Sequence, residues 1–261
     1  MKLEAIDQYA TLRSPFHSWD PRCKLIGFMA LIFAFSFVRD LRVLLAMAVA
    51  TITIYLVSGL PVSFIVSRLR YPSLFLLVLL LILPLISGQT IVTSIGPLGI
   101  RQEGLNGALL IATRFLAILT TGSVLFGTAP FLTTIKAMRA LGLPAILADM
   151  VLLAFRYLHE IGDDLQRMQM SMKLRGVRSS RFNLRSLRIP AWMSGSMLVR
   201  SYERSDSIYK AMVMRGYGQA THYRDDFHAR ASDISILVVF LLAAGGFVVG
   251  EMICGRGSVP L

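Results

Sequence analysis

The sequence predicts an all-α, polytopic membrane protein with about five transmembrane helices and a cytoplasmic α-helical region between the fourth and the fifth. Three observations carry this. Of 261 residues, 55% are hydrophobic and only 16% charged, and the mean hydropathy is +0.63, too apolar for a soluble domain. The apolar residues gather in five runs, Leu25–Val38, Val43–Leu60, Ser73–Ile95, Leu105–Phe126 and Ile234–Gly250, against the about 20 residues that a bilayer core asks of a helix. The long stretch between the last two runs is basic and helix-periodic. These boundaries divide the chain into residues 1–127 with four membrane helices, a cytoplasmic or interfacial region over 128–233, and a last membrane helix with its tail over 234–261.

Residues 1–20 carry Glu4, Asp7 and Arg13 before any apolar run, which is not the plan of a cleavable signal peptide. The first span is then its own insertion signal. Asp20-Pro21 opens it well, because an Asp side chain accepts from first-turn amides and Pro lacks the amide that would be orphaned there. Arg22 and Lys24 follow as headgroup anchors, so Asp20, Pro21, Arg22 and Lys24 form the expected membrane-interface anchor. The first run is short, and Arg39-Asp40-Leu41-Arg42 breaks it from the second; the two are expected as a shallow or tilted hairpin. Pro84 falls inside the third run, where it removes one backbone hydrogen bond and favours a packing kink. Arg114 is the clear charge inside a span and needs a partner such as backbone carbonyls or a neighbouring subunit. A structural anchor is the expected role.

Basic residues set the orientation. Lys2, Arg13, Arg22 and Lys24 in the N-terminal segment, Arg68 and Arg70 in the Ser58–Pro72 turn, and most remaining Lys and Arg between Thr128 and Ser232 are expected in the cytoplasm. The Gly96–Gly104 loop and the C-terminus are expected outside. Leu143–Leu158 is nearly apolar but contains Asp149 and Arg156. As a sixth span it would place the basic segment after it outside, against the trend. It is expected along the cytoplasmic interface.

No Pro interrupts Ala145 to Leu174, so a helix of ~45 Å is expected there at ~1.5 Å per residue. Leu158, Ile161, Leu165, Met168 and Met172 recur at alternating three and four, opposite Glu160, Asp163, Asp164 and Arg167. A second helix is expected from about Trp192 to Met214 with the stripe Leu198, Tyr202, Ser205, Tyr209 and Met212. The two helices are expected to pair or cross through these stripes.

Both helices end alike. Leu174-Arg175-Gly176 closes one and Met214-Arg215-Gly216 the other. Gly after the last turn readily takes the left-handed cap conformation, and Arg suits the negative end of the helix dipole. Either motif alone reads as an ordinary cap. Two copies, each with Met three residues before the Arg, point to docking into a soluble partner. Guanidinium forks at helix ends can pair bidentately with carboxylates of a groove.

Several classes fit poorly. The net charge of +12 lacks the zinc-ligand or base-stacking motifs of nucleic-acid binding, and positive-inside topology explains it more simply. Cys23 and Cys254 have no metal spacing and read as free thiols. A membrane-embedded metal-dependent enzyme would use Asp163-Asp164 or Asp225-Asp226 with His222 or His228, but adjacent helical carboxylates point in different directions. A self-sufficient channel or metal permease needs ligands near the midplane, whereas His17, His159, His222 and His228 lie outside the predicted spans. No metal or catalytic residue is assigned.

The residues then match a known pattern. Ile6-Asp7-Gln8-Tyr9-Ala10, Ser14-Pro15-Phe16-His17-Ser18-Trp19-Asp20-Pro21-Arg22-Cys23-Lys24-Leu25, Gly96-Pro97-Leu98 with Glu103-Gly104, Phe155-Arg156-Tyr157-Leu158, and Glu203-Arg204 leading to Ala211-Met212-Val213-Met214-Arg215-Gly216-Tyr217 span nearly the whole chain. Together they resemble the transmembrane T component of energy-coupling factor transporters, most closely the CbiQ-type subunit of cobalt and nickel importers. The resemblance implies coupling helices ending in Ala-Arg-Gly signatures that dock into two ABC-type ATPases. Arg175 and Arg215 match the Arg positions, while Leu174 and Met214 stand where the family has Ala. It further implies a separate substrate-binding membrane subunit, of the cobalt or nickel type or, as an alternative, serving a vitamin. The chain is then non-catalytic and holds no cofactor, ATP and Mg being bound by the ATPases, and lies multi-pass in a bacterial or archaeal cytoplasmic membrane with its N-terminus inside. The chain has no phosphate-binding loop ending in Gly-Lys-Ser or Gly-Lys-Thr.

Overall fold

A computed structural model describes residues 16, 19–86, 91–95, 98–176, 184–218 and 230–254. In chain order the helices are α1 (Pro21–Phe37), α2 (Leu41–Ser58), α3 (Val62–Ile86), α4 (Gln102–Gly127), α5 (Phe131–Ala140), α6 (Ala145–Leu174), α7 (Leu184–Met214) and α8 (Ala231–Cys254), with strands β1 (Ile91–Ile95) and β2 (Leu98–Arg101) between α3 and α4. Contacts divide the chain into two compact units, one built from α1 to α5, the hairpin and α8, the other over Leu143–Asp226 with α6 and α7. The short helix α5 packs on α1 and so groups with the membrane helices rather than with the 128–233 region.

In the first unit the local reasons for each helix are legible. Asp20 Oδ1 accepts from the Arg22 amide at 2.9 Å and Pro21 fills the first helical position of α1. Its buried positions Lys24, Gly27, Phe28, Leu31, Ala34 and Phe35 recur at three and four, a stripe that faces the bundle while the rest of the helix is left to lipid. Gly27 matters because a Cβ there would lie 3.2 Å from the Trp19 ring and 3.3 Å from Phe240 Cβ. Here α1 and α8 pack most closely, and small residues are what allow two membrane helices to approach. Gly59 stops α2 in the left-handed conformation, φ 66°.

Two apolar clusters hold this unit together. One joins Phe16, Trp19 and Phe28 to Leu60 and Phe64 of the α2–α3 region and to Val124 and Leu125 of α4. The other joins Leu31, Phe35 and Val38 to Leu44, Met47 and Ala117. Phe240 borders both, its ring 5.2 Å from those of Trp19 and Phe28. Hydroxyls inside the helices are satisfied locally: Thr121 donates to the Ala117 carbonyl and Thr128 to that of Val124, the arrangement that makes them tolerable away from water.

Among the described residues three helices are long and apolar enough to cross a membrane, over Val62–Leu83, Asn106–Gly127 and Ala231–Ile253, with a shorter apolar stretch at Arg42–Ser58. α1 and α2, of 17 and 18 residues, reach about 26 Å at ~1.5 Å per residue, slightly short of the ~30 Å hydrocarbon core. α3 leaves Leu74, Phe75, Leu77 and Leu81 exposed, as lipid contact requires. The chain is an all-α polytopic membrane protein.

Two boundaries differ from the sequence reading. The Ser58–Pro72 segment, expected as a turn, is helical from Val62. Arg68 sits on that helix with its guanidinium 4.9 Å from the Phe64 ring centroid, a contact that lets a charged residue stay helical near the membrane. The third apolar run ends as helix at Ile86, and Ile91–Ile95 instead pairs antiparallel with Leu98–Arg101, with an irregularity between Ile91 and Thr93. β-branched Ile91, Val92 and Thr93 suit a pleated strand better than a helix end.

Candidate functional site

α6 and α7 carry the candidate site. α6 runs unbroken over 30 residues, and α7 over 31, starting at Leu184 and continuing through Pro190, earlier than the expected Trp192. They meet near their middles, where Ile161, Asp164 and Met168 of α6 face Met197, Arg200, Ser201 and Arg204 of α7. The contact is brief for helices of this length, so the pair crosses rather than running side by side. The Arg204 guanidinium spans two acids one turn apart, Nη1 lying 3.3 Å from Glu160 Oε1 and Nη2 3.4 Å from Asp164 Oδ2. A planar fork is the group suited to grip two carboxylates together.

This bridge corrects the expected packing faces. On α6, Ile161, Met168 and Met172 are partly buried, but Leu158 and Leu165 are exposed. Glu160 and Asp164, expected on the wet face, serve Arg204, while Asp163 and Arg167 stay exposed. On α7 the less exposed positions are Ile189, Met193, Ser196, Met197, Ser201, Arg204, Ile208 and Met212. Of the expected stripe only Met212 belongs to them; Leu198, Tyr202, Ser205 and Tyr209 are exposed. The ion pairs turn α7 about its axis relative to what apolar spacing alone implies. The signal that could have found them is the pair of acids at i, i+4 on α6, which presents two carboxylates on one face.

The two helix ends are built alike. The Arg175 amide donates to the Ser171 carbonyl at 3.1 Å, and the Gly176 amide to that of Lys173 at 3.1 Å. Gly176 has φ +81° and Gly216 φ +82°, conformations open to glycine at no steric cost. At the end of α7 the Gly216 amide reaches the Val213 carbonyl at 3.0 Å and the Tyr217 amide the Met212 carbonyl at 3.0 Å, a complete Schellman cap. These amides take the Ser171 and Lys173 carbonyls of α6 and the Met212 and Val213 carbonyls of α7. Arg175 and Arg215 are exposed, and Leu174 and Met214 are 82% and 91% exposed. Each tip therefore leaves a cation and a bare apolar side chain exposed.

The remaining expected residues lie in the first unit. Lys24 is only 2% exposed and its Nζ donates to the Phe16 carbonyl at 3.0 Å. It ties down the chain before α1 instead of reaching the headgroups, because its position on α1 faces the bundle. Arg22 is partly buried. Arg114 of α4 donates through Nη2 to the Val38 carbonyl, at the C-terminal end of α1, where the helix dipole is negative. On the same turn the Asp40 amide donates to Glu251 Oε2 of α8 at 3.3 Å. Two charged side chains from different helices hold the α1–α2 turn.

Among the described residues no three His, Cys, Asp or Glu side chains lie close enough to hold a metal ion. A ring nitrogen of His159 is 3.1 Å from the Phe155 carbonyl; His17, His222, His228 and Asp225-Asp226 lie outside the described residues. Cys23 is a free thiol.

One unit is thus an apolar helical bundle of a membrane protein, and the other carries two helices with matching exposed tips. The chain matches the family model of CbiQ, cobalt transport protein, over residues 13–224. It belongs to this family, the transmembrane T components of energy-coupling factor transporters. It is similar to the energy-coupling factor transporter transmembrane protein EcfT of Limosilactobacillus fermentum, 26% identical over 92% of this chain and 95% of that protein. EcfT of Bacillus selenitireducens is 28% identical over 96% of this chain and 97% of that one. A putative ABC transporter ATP-binding protein of Bifidobacterium longum is 29% identical over 66% of this chain, but the match covers 23% of its own length.

Proposed function

We propose that this chain is the coupling subunit of an energy-coupling factor importer, carrying ATP-driven motion from two ABC-type ATPases to a separate substrate-binding membrane subunit. The observation that carries the reading is the pair of exposed Arg-Gly tips on crossed helices, alike in cap geometry and glycine dihedral. As the ATPases close on ATP, they draw Arg175 and Arg215 with them. The Arg204 bridge to Glu160 and Asp164 makes the two helices respond together rather than singly. The Bifidobacterium protein supports the partnership, since a stretch similar to this chain occurs there within a protein named as ATP-binding.

The ATPases bind ATP and Mg, and the chain itself is non-catalytic, in keeping with the missing phosphate-binding loop. The N-terminus and the Leu143–Asp226 unit face the cytoplasm, where their basic residues are favoured. Cobalt or nickel is the proposed cargo, supported by the description of the family, cobalt transport protein, and by the closer resemblance to the CbiQ-type subunit.

Purification from the native membrane in mild detergent, with mass-spectrometric identification of the associated chains, tests this. A pair of ABC ATPases and a small membrane protein are expected, and uptake of labelled cobalt or nickel is expected to fall when Arg175→Glu and Arg215→Glu are combined. A vitamin-binding partner would overturn the metal assignment. Recovery of the chain alone, with uptake intact in the double reversal, would overturn the coupling role.

A further inference from the structure

The helix tips carry more than their arginines. Leu174 and Met214 are the last helical residues of α6 and α7, each stands one residue before an exposed arginine, and each is almost wholly bare. Gly176 and Gly216 close the two ends at nearly the same dihedral, so the apolar side chain holds the same place in both. Apolar neighbours enlarge the tips. Met170, one turn before Leu174, is exposed, and so are Val213 and Tyr217 around Met214. Leu and Met are also close in volume, one of the swaps that cores tolerate best.

The surroundings of both tips are basic. From Leu165 to Arg178 the sequence carries Arg167, Lys173, Arg175 and Arg178 and no acid, and from Ser207 to Gly218 it carries Lys210 and Arg215 and no acid. Lys210 pairs with Asp206 one turn back, whereas Lys173, Arg175 and Arg215 make no ion pair among the described residues. A matching surface is therefore acidic where the arginines reach it. Granted the docking proposed above, on which this inference rests, a groove that receives the last turn of α6 encloses Leu174 together with Arg175, because neighbouring Cα atoms are only ~3.8 Å apart. A carboxylate answers the arginine but not the leucine. Pressing Leu174 onto polar groups would strip them of water without giving back a hydrogen bond, so the wall beside the carboxylate has to be apolar. The same reasoning holds for Met214 beside Arg215.

We infer that each ATPase groove holds an apolar recess beside its acidic residue, and that Leu174 and Met214 fill these recesses and so select the ATPases this chain accepts. The arginine supplies the charge that orients the tip. The side chain before it supplies the fit.

The full-length chain and its variants are placed in lipid nanodiscs and titrated with the ABC ATPase pair that co-purifies with the wild type from the native membrane. Both side chains are exposed, so substituting them leaves the fold intact. Leu174→Ala and Met214→Ala are each expected to weaken binding about tenfold, and about a hundredfold together, as separate sites on different helices add. Leu174→Met combined with Met214→Leu keeps volume and apolarity and is expected to bind within about threefold of the wild type. Leu174→Asn combined with Met214→Gln keeps much of the size but not the apolarity, and is expected to bind no better than the double alanine variant. Wild-type affinity in the double alanine or the Asn/Gln variant, with binding abolished by Arg175→Glu and Arg215→Glu together, would overturn the recesses and leave the coupling role standing. Unchanged binding in the double arginine reversal, or recovery of the wild type without ATPases, would overturn the coupling role and this inference with it.

Discussion

The indole N–H of Trp19 donates to the backbone carbonyl of Asp233 at 3.1 Å, joining residues 214 positions apart. Trp19 precedes α1 and Asp233 lies in the first turn of α8, so one side chain fastens the two ends of the membrane unit together. The join is reinforced from both sides: Asp233 Oδ2 accepts from the Arg230 amide at 2.9 Å, and the indole ring packs 5.2 Å from Phe240. Trp19→Phe keeps an aromatic ring but removes the donor. It is expected to cost about 1 kcal/mol, the usual net value of a neutral hydrogen bond, read as a lower midpoint of thermal unfolding in detergent. Trp19→Ala, which also empties a buried site, is expected to cost several-fold more. Equal midpoints for the wild type and the Phe variant would show that the bond carries no stability.

A second prediction concerns the end of α4. A Cβ on Gly127 would lie 2.9 Å from two ring carbons of Phe64 and 3.4 Å from Leu60 Cδ1. The ring cannot swing freely, because Phe64 is buried in the first apolar cluster and Arg68 lies over it. Gly127→Ala is expected to destabilise by about 1–3 kcal/mol through overpacking. Phe64→Leu in the same chain is expected to recover part of that, so the double variant melts above the sum of the two single losses. Strict additivity in a detergent melting series would contradict the close approach.

How far the fold could be read from the sequence depends on which force sets each feature. α6 is legible from Ala145 to Leu174, because no Pro interrupts it and the Arg-Gly cap marks its end. α7 is less so. Pro190 reads as a breaker, yet the helix passes through it from Leu184. Its inward face follows Arg204, whose partners Glu160 and Asp164 lie some forty positions earlier; apolar periodicity carries no information about such a pairing and selects Leu198, Tyr202 and Tyr209 instead. α3 begins at Val62 although Arg68 and Arg70 look like loop residues, since the Phe64 ring accepts one of those cations. The twin tips were the most legible part of the site. Their signal is purely local, an Arg followed by the glycine that the cap requires.

Arg114 offers a third test. Its Nη2 donates to the Val38 carbonyl, while Glu251 accepts from the Asp40 amide on the same turn. Arg114→Met preserves length and apolar bulk but leaves the end of α1 without its cation. A loss of about 1–3 kcal/mol is expected, the range for removing a charged donor from a partly buried carbonyl. Arg114→Lys is expected to recover less than the full amount, because an ammonium lacks the second arm of the fork. Hydrogen exchange localises the effect: faster exchange at Val38–Asp40 with little change in α6 and α7 is expected. Uniform acceleration over the whole chain would assign Arg114 a role in global folding instead.

The helix tips separate a stability effect from a coupling effect. Leu174 and Met214 touch little, being almost fully exposed, so Leu174→Ala and Met214→Ala are expected to leave the melting midpoint within the change of about 0.5 kcal/mol typical of surface substitutions. Alanine is also the better helix former at either place. Gly216→Ala is different. It forces a Cβ into a conformation at φ +82°, which costs roughly 1–2 kcal/mol for an L residue, and that strain is confined to the cap of α7. The proposed docking then makes opposite demands on two assays. For Gly216→Ala, detergent melting of the membrane unit is expected to stay at the wild-type value while ATP-driven uptake falls, because a frayed cap no longer aims Arg215. Arg215→Lys should retain part of the uptake through its charge, and Arg215→Glu none. If uptake tracks the melting midpoint across all four α7 variants, the tip contributes only to folding, and the arginine is an ordinary cap residue.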